Sequence, residues 1–316
     1  MSDWKSKALE LHNENVSWRA IARELGKSKS TVSDWLRSQL KGYVRPSEKV
    51  SVESKQNIFK NTDARVLYID CETSPMLGAV WSLWNNNVGL NQIHNDWFML
   101  SYCAKWADSD EIFYYDIRDT VLQEDDRGLF ESLWKLLDEA DIVIGHNARK
   151  FDIKKINARL ILQGFDKPSP YRVVDTLEIA KESFAFSSNK LEYLTDKLCI
   201  ENKKTKSAKF HGYTLWSECL KGNAEAFDEM REYNLMDVLS LEELTIKIAP
   251  WSNRIPNLDV FTPEPMSNED WIHVGYHYSN MGKYDKFQNN NTGQYRRGRV
   301  NLLSKEKRAS LLGNVV

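Results

Sequence analysis

Long apolar runs are missing from this 316-residue chain. Nothing in it approaches the roughly 20 consecutive apolar residues that a bilayer-spanning helix requires. The opening MSDWKSKALE also lacks the apolar centre of a secretion signal. Membrane and secreted classes are therefore not expected. Cysteine is equally sparse: Cys71, Cys103, Cys199 and Cys219 form no CxxC pair. That argues against a disulfide framework and a cysteine zinc site, and suits a reducing cytoplasm. Proline is rare as well, and three of the eight fall between residues 252 and 270, which read as an extended connector.

What the chain does have is a composition for folding, with 41% hydrophobic, 11% aromatic and 28% charged residues. Its length exceeds one small domain. The net charge of −2 conceals a strong asymmetry. Residues 1–60 carry 12 Lys and Arg against 7 acids, and residues 271–316 carry 8 against 2, leaving the middle near −13. Basic ends suit a polyanion, and an acidic centre suits cations.

At the front, Trp4, Ala8 and Leu11 recur at helical spacing. Ser17 is a candidate cap for a second helix, WRAIARELG, which Gly26 stops. Ser28 or Ser30 then caps a third, STVSDWLRSQL, which buries Val32, Trp35 and Leu36. Short helices broken at a glycine make a helix-turn-helix pattern. The run IARELGKSKSTVSDWLR resembles the helix-turn-helix of resolvases and transposases. The resemblance implies a second helix in a DNA groove, exposing Lys29, Ser30, Thr31, Ser33 and Arg37, with Lys27 near phosphate. The alternative is a trihelical packing module that touches no DNA.

The middle opens with RVLYIDCETSP, an apolar strand on which Asp70 and Glu72 point to the same side. WFMLSYCAKWA and EIFYYDI read as two more strands. RGLFESLWKLLDEA reads as an amphipathic helix, ADIVIGHN as a strand, and ARKFDIKKINARLILQG as a helix with Phe151, Ile153, Ile156 and Leu160 on its apolar side. YRVVDTLEIA runs from strand into helix. Residues 223–248 form one long helix carrying Tyr233 and Asp237 four apart. This order predicts a mixed sheet flanked by helices, an α/β domain.

Three of these segments carry a resemblance. I-D-C-E-T, N-A-R-K-F-D and Y-N-L-M-D are similar to the three motifs of the DEDD 3′-to-5′ exonucleases in their tyrosine variant, a superfamily with a ribonuclease H-like fold. The other variant has histidine five residues before the last aspartate, where this chain has Glu232. GHNARKFDIKKINARL, KKTKSAKFHGYTLW and YNLMDVLSLEELTIKIAPW further resemble phage-encoded exonucleases, which would place the protein in a host cytoplasm. The resemblance implies that Asp70, Glu72, Asp152 and Asp237 hold two divalent cations, Mg²⁺ or Mn²⁺, and that Tyr233 orients the attacking water. Hard cations want such oxygen ligands. A phenol with an ordinary pKa near 10 serves better for positioning than as a base. By the same analogy Glu72 meets the terminal 3′-hydroxyl, and Thr73 and Asn147 contact the substrate. The substrate would be nucleic acid with a free 3′ end, DNA before RNA because of the front module.

Softer candidates surround these motifs. Lys203, Lys204, Lys206 and Lys209 read as a loop near phosphate or a solvated charge run. Trp81 and Trp84, beside Asn85, Asn86 and Asn87, either stack on unpaired bases or cover a core. The tail GYHYSNMGKYDKFQNNNTGQYRRGR alternates like a hairpin and resembles the zinc ribbon that ends related phage exonucleases. Asn289 and Thr292 stand where that ribbon has cysteines, so no zinc is expected. Arg296, Arg297 and Arg299 are its candidate DNA contacts, a disordered basic tail being the alternative. The expected domains are 1–40 helix-turn-helix, 41–62 linker, 63–251 exonuclease, 252–270 connector and 271–316 basic module. Rival readings are a DDE-type transposase, a DNA-binding regulator with an inactive nuclease fold, and an adaptor.

Overall fold

The computed structural model describes residues 4–13, 18–28, 31–32, 35–36, 57–59, 62–202, 209–261 and 270–313. Contacts divide the chain into two compact units, Gln56–Pro265 and Met1–Lys55 with Met266–Val316.

In the smaller unit, α1 (Trp4–Asn13) and α2 (Trp18–Glu24) come first. Gly26 follows α2 at φ 59°, the left-handed conformation in which a glycine ends a helix without strain. Ser28, one of the two candidate caps, has an Oγ that accepts the Thr31 N–H at 3.0 Å, and Ser30, the other, lies outside the described residues. Thr31, Val32, Trp35 and Leu36 are helical beyond it. Ala8, Leu11, Ile21, Ala22, Val32 and Leu36 form this segment's own small core, with Trp4 packed edge-on against Trp35.

The larger unit is built on a five-stranded mixed sheet of order β5-β4-β1-β6-β7. Its strands are β1 (Val66–Thr73), β4 (Met99–Trp106), β5 (Ile112–Asp116), β6 (Ile142–Gly145) and β7 (Arg172–Asp175). Between β1 and β4, β2 (Leu77–Gly78) and β3 (Ile93–Asn95) make a separate short pair. β1 lies antiparallel to β4 and parallel to β6, and β6 lies parallel to β7. The parallel neighbours require crossovers. α3 (Arg127–Glu139) leads into β6, and α4 (Asp152–Leu162) connects β6 to β7. Then come α5 (Thr176–Ser183), α6 (Leu191–Leu198), α7 (Tyr213–Leu220) and the long α8 (Ala224–Ile248).

Helices cover both faces of this sheet, so its central strands bury apolar residues on both sides rather than alternating apolar with polar. Leu67, Ile69 and Cys71 of β1 pack with Leu129, Leu133 and Leu137 of α3 and with Ile153, Ile156 and Leu160 of α4. On the other face Val66 and Tyr68 pack with Val238, Leu241, Leu244 and Ile248 of α8. All eight residues of β4 are buried, Lys105 among them. That ammonium is paired at 2.8 Å with Glu242 of α8, so a buried ion pair links the helix to the sheet. One expectation fails: Phe151 is 39% exposed, because α4 begins only at Asp152 and Phe151 sits ahead of the helical face.

The chain ends in a three-stranded antiparallel sheet of order β10-β9-β8. It comprises β8 (Trp271–Ser279), β9 (Gly282–Asn289) and β10 (Tyr295–Arg297), followed by the short helix α9 (Lys305–Ser310), whose cap is Ser304. The alternation read as a hairpin is the β8–β9 pair.

Candidate active site

Strand β1 leaves the core at its C-terminal end, and there its outward-alternating positions become Asp70 and Glu72. Both are on the side facing α8, in register with Val66 and Tyr68. A register shift between Glu72 and Thr73 bends the strand immediately afterwards. From α8 comes Asp237, only 3% exposed. Asp70, Glu72 and Asp237 each offer a carboxylate oxygen, and these three atoms lie within 4.8 Å of one another.

Asn234, one turn before Asp237 and fully buried, fixes the arrangement. Its Nδ2 donates to Asp70 Oδ2 at 2.6 Å, while its Oδ1 accepts from Ser101 Oγ of β4 at 3.2 Å. The amide thus orients one carboxylate by donating to it, as a partner of a metal ligand does. Asn234 went unrecognised in the sequence, although it stands inside Y-N-L-M-D, three residues before Asp237 and on the same helical face.

Asp152 approaches β1 from the opposite layer. It is 3% exposed, and its Oδ1 accepts the Cys71 N–H at 3.1 Å, at the peptide between Asp70 and Glu72. It stands next to the trio without belonging to the 4.8 Å group. Burial pushes its carboxyl up to about 7, against its own N–H and that of Cys71, which pull it down, while Asp175 adds to the rise. The same negative potential reaches the thiols. Burial, followed by Asp152, Asp70 and Glu72, holds Cys71 well above its ordinary value. Cys103, opposite Asp70 in the ladder, is raised to about 12 by burial, then by Asp70 and Asp237.

The loop leading to Asp152 is organised by Asp175, a second residue the sequence did not single out. Its carboxylate accepts the N–H groups of Asn147 at 2.9 Å, Arg149 at 3.1 Å and Leu177 at 3.0 Å. It therefore caps α5 and shapes the 147–149 turn together. The readable signal is V-V-D-T-L-E, an aspartate between an apolar run and a helix. Asn147 takes a left-handed φ of 64°. Gly145 leaves no space for a side chain, since a Cβ there would meet Ala148 Cβ at 2.5 Å. His146 is engaged with Thr176 Oγ1 and the Asn189 carbonyl, both at 2.9 Å.

Other candidates separate. Tyr233 is half-buried and edge-on to Trp216 of α7, ring centroids 6.1 Å apart. Thr73 is half-buried at the end of β1. Trp81 and Trp84 cover no core: they are 97% and 80% exposed, between β2 and β3. Lys209 is ion-paired with Glu225. Lys27 is exposed and lies 6.0 Å from the Trp4 ring, whereas the exposed Thr31 is hydrogen-bonded to Ser28. Lys29, Ser30, Ser33, Arg37, Lys203, Lys204 and Lys206 lie outside the described residues. Arg296 and Arg297 emerge on opposite faces of the C-terminal sheet, over Trp271 and Tyr284 respectively.

The donor set at the trio is all carboxylate oxygen. Cys71 alternates to the other face of β1, and His146 already has two partners. Such a set fits a hard divalent cation and not zinc in a thiolate cage. No helix among the described residues is long and apolar enough to cross a membrane.

Residues 87–249 match the family model RNase_H_2, described as RNase_H superfamily. That stretch contains Asp152, Tyr233 and Asp237, and begins after Asp70 and Glu72. Residues 2–44 match HTH_23, a homeodomain-like domain. The chain matches none of the curated proteins. Among solved structures it is similar to the family B DNA polymerase from the hyperthermophilic archaeon Pyrobaculum calidifontis. Identity there is 16% and the TM-score 0.45, over 59% of this chain and 25% of that one.

Proposed function

This chain belongs to the RNase H superfamily, and from that premise we propose that it is a divalent-metal-dependent nuclease that removes nucleoside monophosphates from the 3′ end of DNA. The observation that carries the reading is the convergence of Asp70, Glu72 and Asp237 within 4.8 Å, supplied by a strand end and a helix remote in sequence. Three converging carboxylates repel one another unless a cation joins them. Asp152, held against the β1 backbone beside them, completes the four ligands for two cations, Mg²⁺ or Mn²⁺.

Bound there, such cations lower the pKa of water and stabilise charge on a phosphoryl group and on the departing oxygen. The chain's own residues do the rest. Asn234 keeps Asp70 turned toward Asp237 and Glu72. Glu72 meets the terminal 3′-hydroxyl and so selects an end over an internal bond. Tyr233, four residues before Asp237 on α8, orients the water for in-line attack. Asp175 maintains the turn that presents Asn147 and Asp152. The homeodomain-like front, with Lys27 and Thr31 exposed, adds affinity for duplex DNA.

The test is digestion of 5′-labelled single-stranded DNA with Mg²⁺ or Mn²⁺, wild type against Asp70→Ala. A ladder that shortens from the 3′ end, needs a free 3′-hydroxyl and vanishes in the variant supports the reading. An intact strand with both metals, and intact RNA and duplex ends too, sinks it.

A further inference from the structure

The C-terminal sheet sorts its side chains into two unlike faces. Strand alternation and the cross-strand register place Trp271, His273, Tyr276, Lys283, Asp285, Phe287 and Arg296 on one side. That side is occupied with itself. His273 lies edge-on to Tyr276 and Phe287, at 5.5 and 5.6 Å, and meets Asp285 at 3.0 Å. Lys283 sits 3.8 Å from the Tyr276 ring, and Arg296 4.9 Å from that of Trp271.

The reverse side carries Tyr284 and Lys286 of β9 with Tyr295 and Arg297 of β10. The Arg297 guanidinium lies 4.2 Å from the Tyr284 ring, and the Lys286 ammonium 5.9 Å from that of Tyr295. No carboxylate occupies a strand position on this side. Of the two acids in residues 271–316, Asp285 points the other way and Glu306 belongs to α9. Tyr295 is 48% exposed, and Arg297 is exposed as well.

We propose that the Tyr284–Lys286–Tyr295–Arg297 face of the C-terminal sheet binds an unpaired nucleic-acid strand, with phosphates on the two cations and bases on the aromatic and guanidinium planes. Charge complementarity selects a polyanion. Flat rings beside the cations select one with exposed base faces, which a duplex does not offer. The inference deepens the nuclease reading by giving the substrate a second handhold. It also distinguishes two adjacent arginines: Arg297 contacts the strand, and Arg296 does not.

The sheet holds its shape without thiolates. Asn289 Oδ1 accepts the N–H groups of Asn291 at 3.0 Å and Thr292 at 2.9 Å and the Thr292 hydroxyl at 3.1 Å. Gly293 completes this turn at φ 73°, donating its N–H to the Asn289 carbonyl. Side-chain hydrogen bonds thus close the knuckle in which the resembling ribbons place cysteines.

The experiment measures binding apart from cleavage. Fluorescence anisotropy of a labelled oligo(dT) strand is followed with the full chain in EDTA, across a salt series. Lys286→Gln with Arg297→Gln keeps both stems over their rings and removes the charges. Affinity should fall about tenfold, and the salt slope should shrink by about 1.4, two phosphate contacts at ~0.7 each. Tyr278→Ala, on the opposite face, should stay within about twofold of wild type. Photocrosslinking of wild type to an iodouridine strand should map to Tyr284 or Tyr295, and needs no variant to fold. An unchanged salt slope in the double variant, or crosslinks confined to other residues, overturns the proposal. Asp70→Ala separates the two readings: if it binds as wild type does without cutting, handhold and catalysis are distinct. If wild type binds through this face and never cuts, the nuclease reading alone fails.

Discussion

The two sheets of this protein solve opposite problems. In the five-stranded sheet both faces are packed, β4 is buried from end to end, and its buried Lys105 is paired with Glu242. The C-terminal sheet has no large buried side chain. Its strands are half-exposed, and cations lying over tyrosine and tryptophan rings stand in for a hydrocarbon core. Converging three carboxylates demands a frame stiff enough to resist their repulsion, and a close-packed interior supplies it. Gripping a polyanion demands the reverse, aromatic area and charge kept in reach of solvent.

Four experiments sharpen or break that contrast. The largest effect is catalytic. Asp70→Ala or Asp237→Ala should lower nucleic-acid hydrolysis by on the order of 10³-fold or more. Thermal unfolding of the metal-free Asp237→Ala chain should not suffer, because one of three repelling charges has gone. A variant that loses its fold along with its activity would make the trio a structural element instead.

Next comes the frame. Asp126, fully buried, accepts from Met99 N–H at 2.9 Å and pairs with Arg159 of α4. Asp126→Ala leaves that arginine without its carboxylate and should cost about 3–5 kcal/mol of stability in urea unfolding. A loss under about 1 kcal/mol would mean the packed sheet tolerates unpaired charge, contrary to the comparison.

Metal should act on the packed unit alone. At about a hundred times its dissociation constant, Mn²⁺ should stabilise wild type by ~2.7 kcal/mol and leave Asp237→Ala unmoved. Equal stabilisation of both, read by calorimetry, would place the cation elsewhere.

The smallest effect belongs to the exposed sheet. Asn289→Ala strands the donors it satisfies and should cost about 1–3 kcal/mol. Faster amide exchange should be confined to residues 271–297. If the main unfolding transition drops as far as it does for Asp126→Ala, the two sheets are one cooperative system.

Much of the fold was legible because period and polarity report it. Leu129, Leu133, Leu136 and Leu137 announce a helix, Asp70 and Glu72 share a side by simple alternation, and the stretch to Ile248 reads as one helix. Three acidic motifs in fixed order named the candidate ligands before any geometry was available. The front module was readable through Gly26 and a serine cap, a role in which Ser28 is seen.

What stayed hidden concerns residues whose role lies in a partner distant along the chain. Asn234 reads as one polar residue in a helix until Asp70, 164 positions earlier, comes within 2.6 Å of it. Asp175 goes unnoticed until the 147–149 turn folds onto it, and Trp81 and Trp84 stand between stacking on bases and covering a core until they prove exposed. Arg296 and Arg297 differ by one position in sequence and by a whole face in the sheet. By itself, the sequence determined the elements and the basic ends, because these follow from local periodicity and composition, while the four candidate acids came from a resemblance in three ordered motifs. Tertiary structure decided which carboxylates converge, what orients them and which arginine faces outward, because hydrogen-bond geometry and strand register exist only once distant segments are packed together.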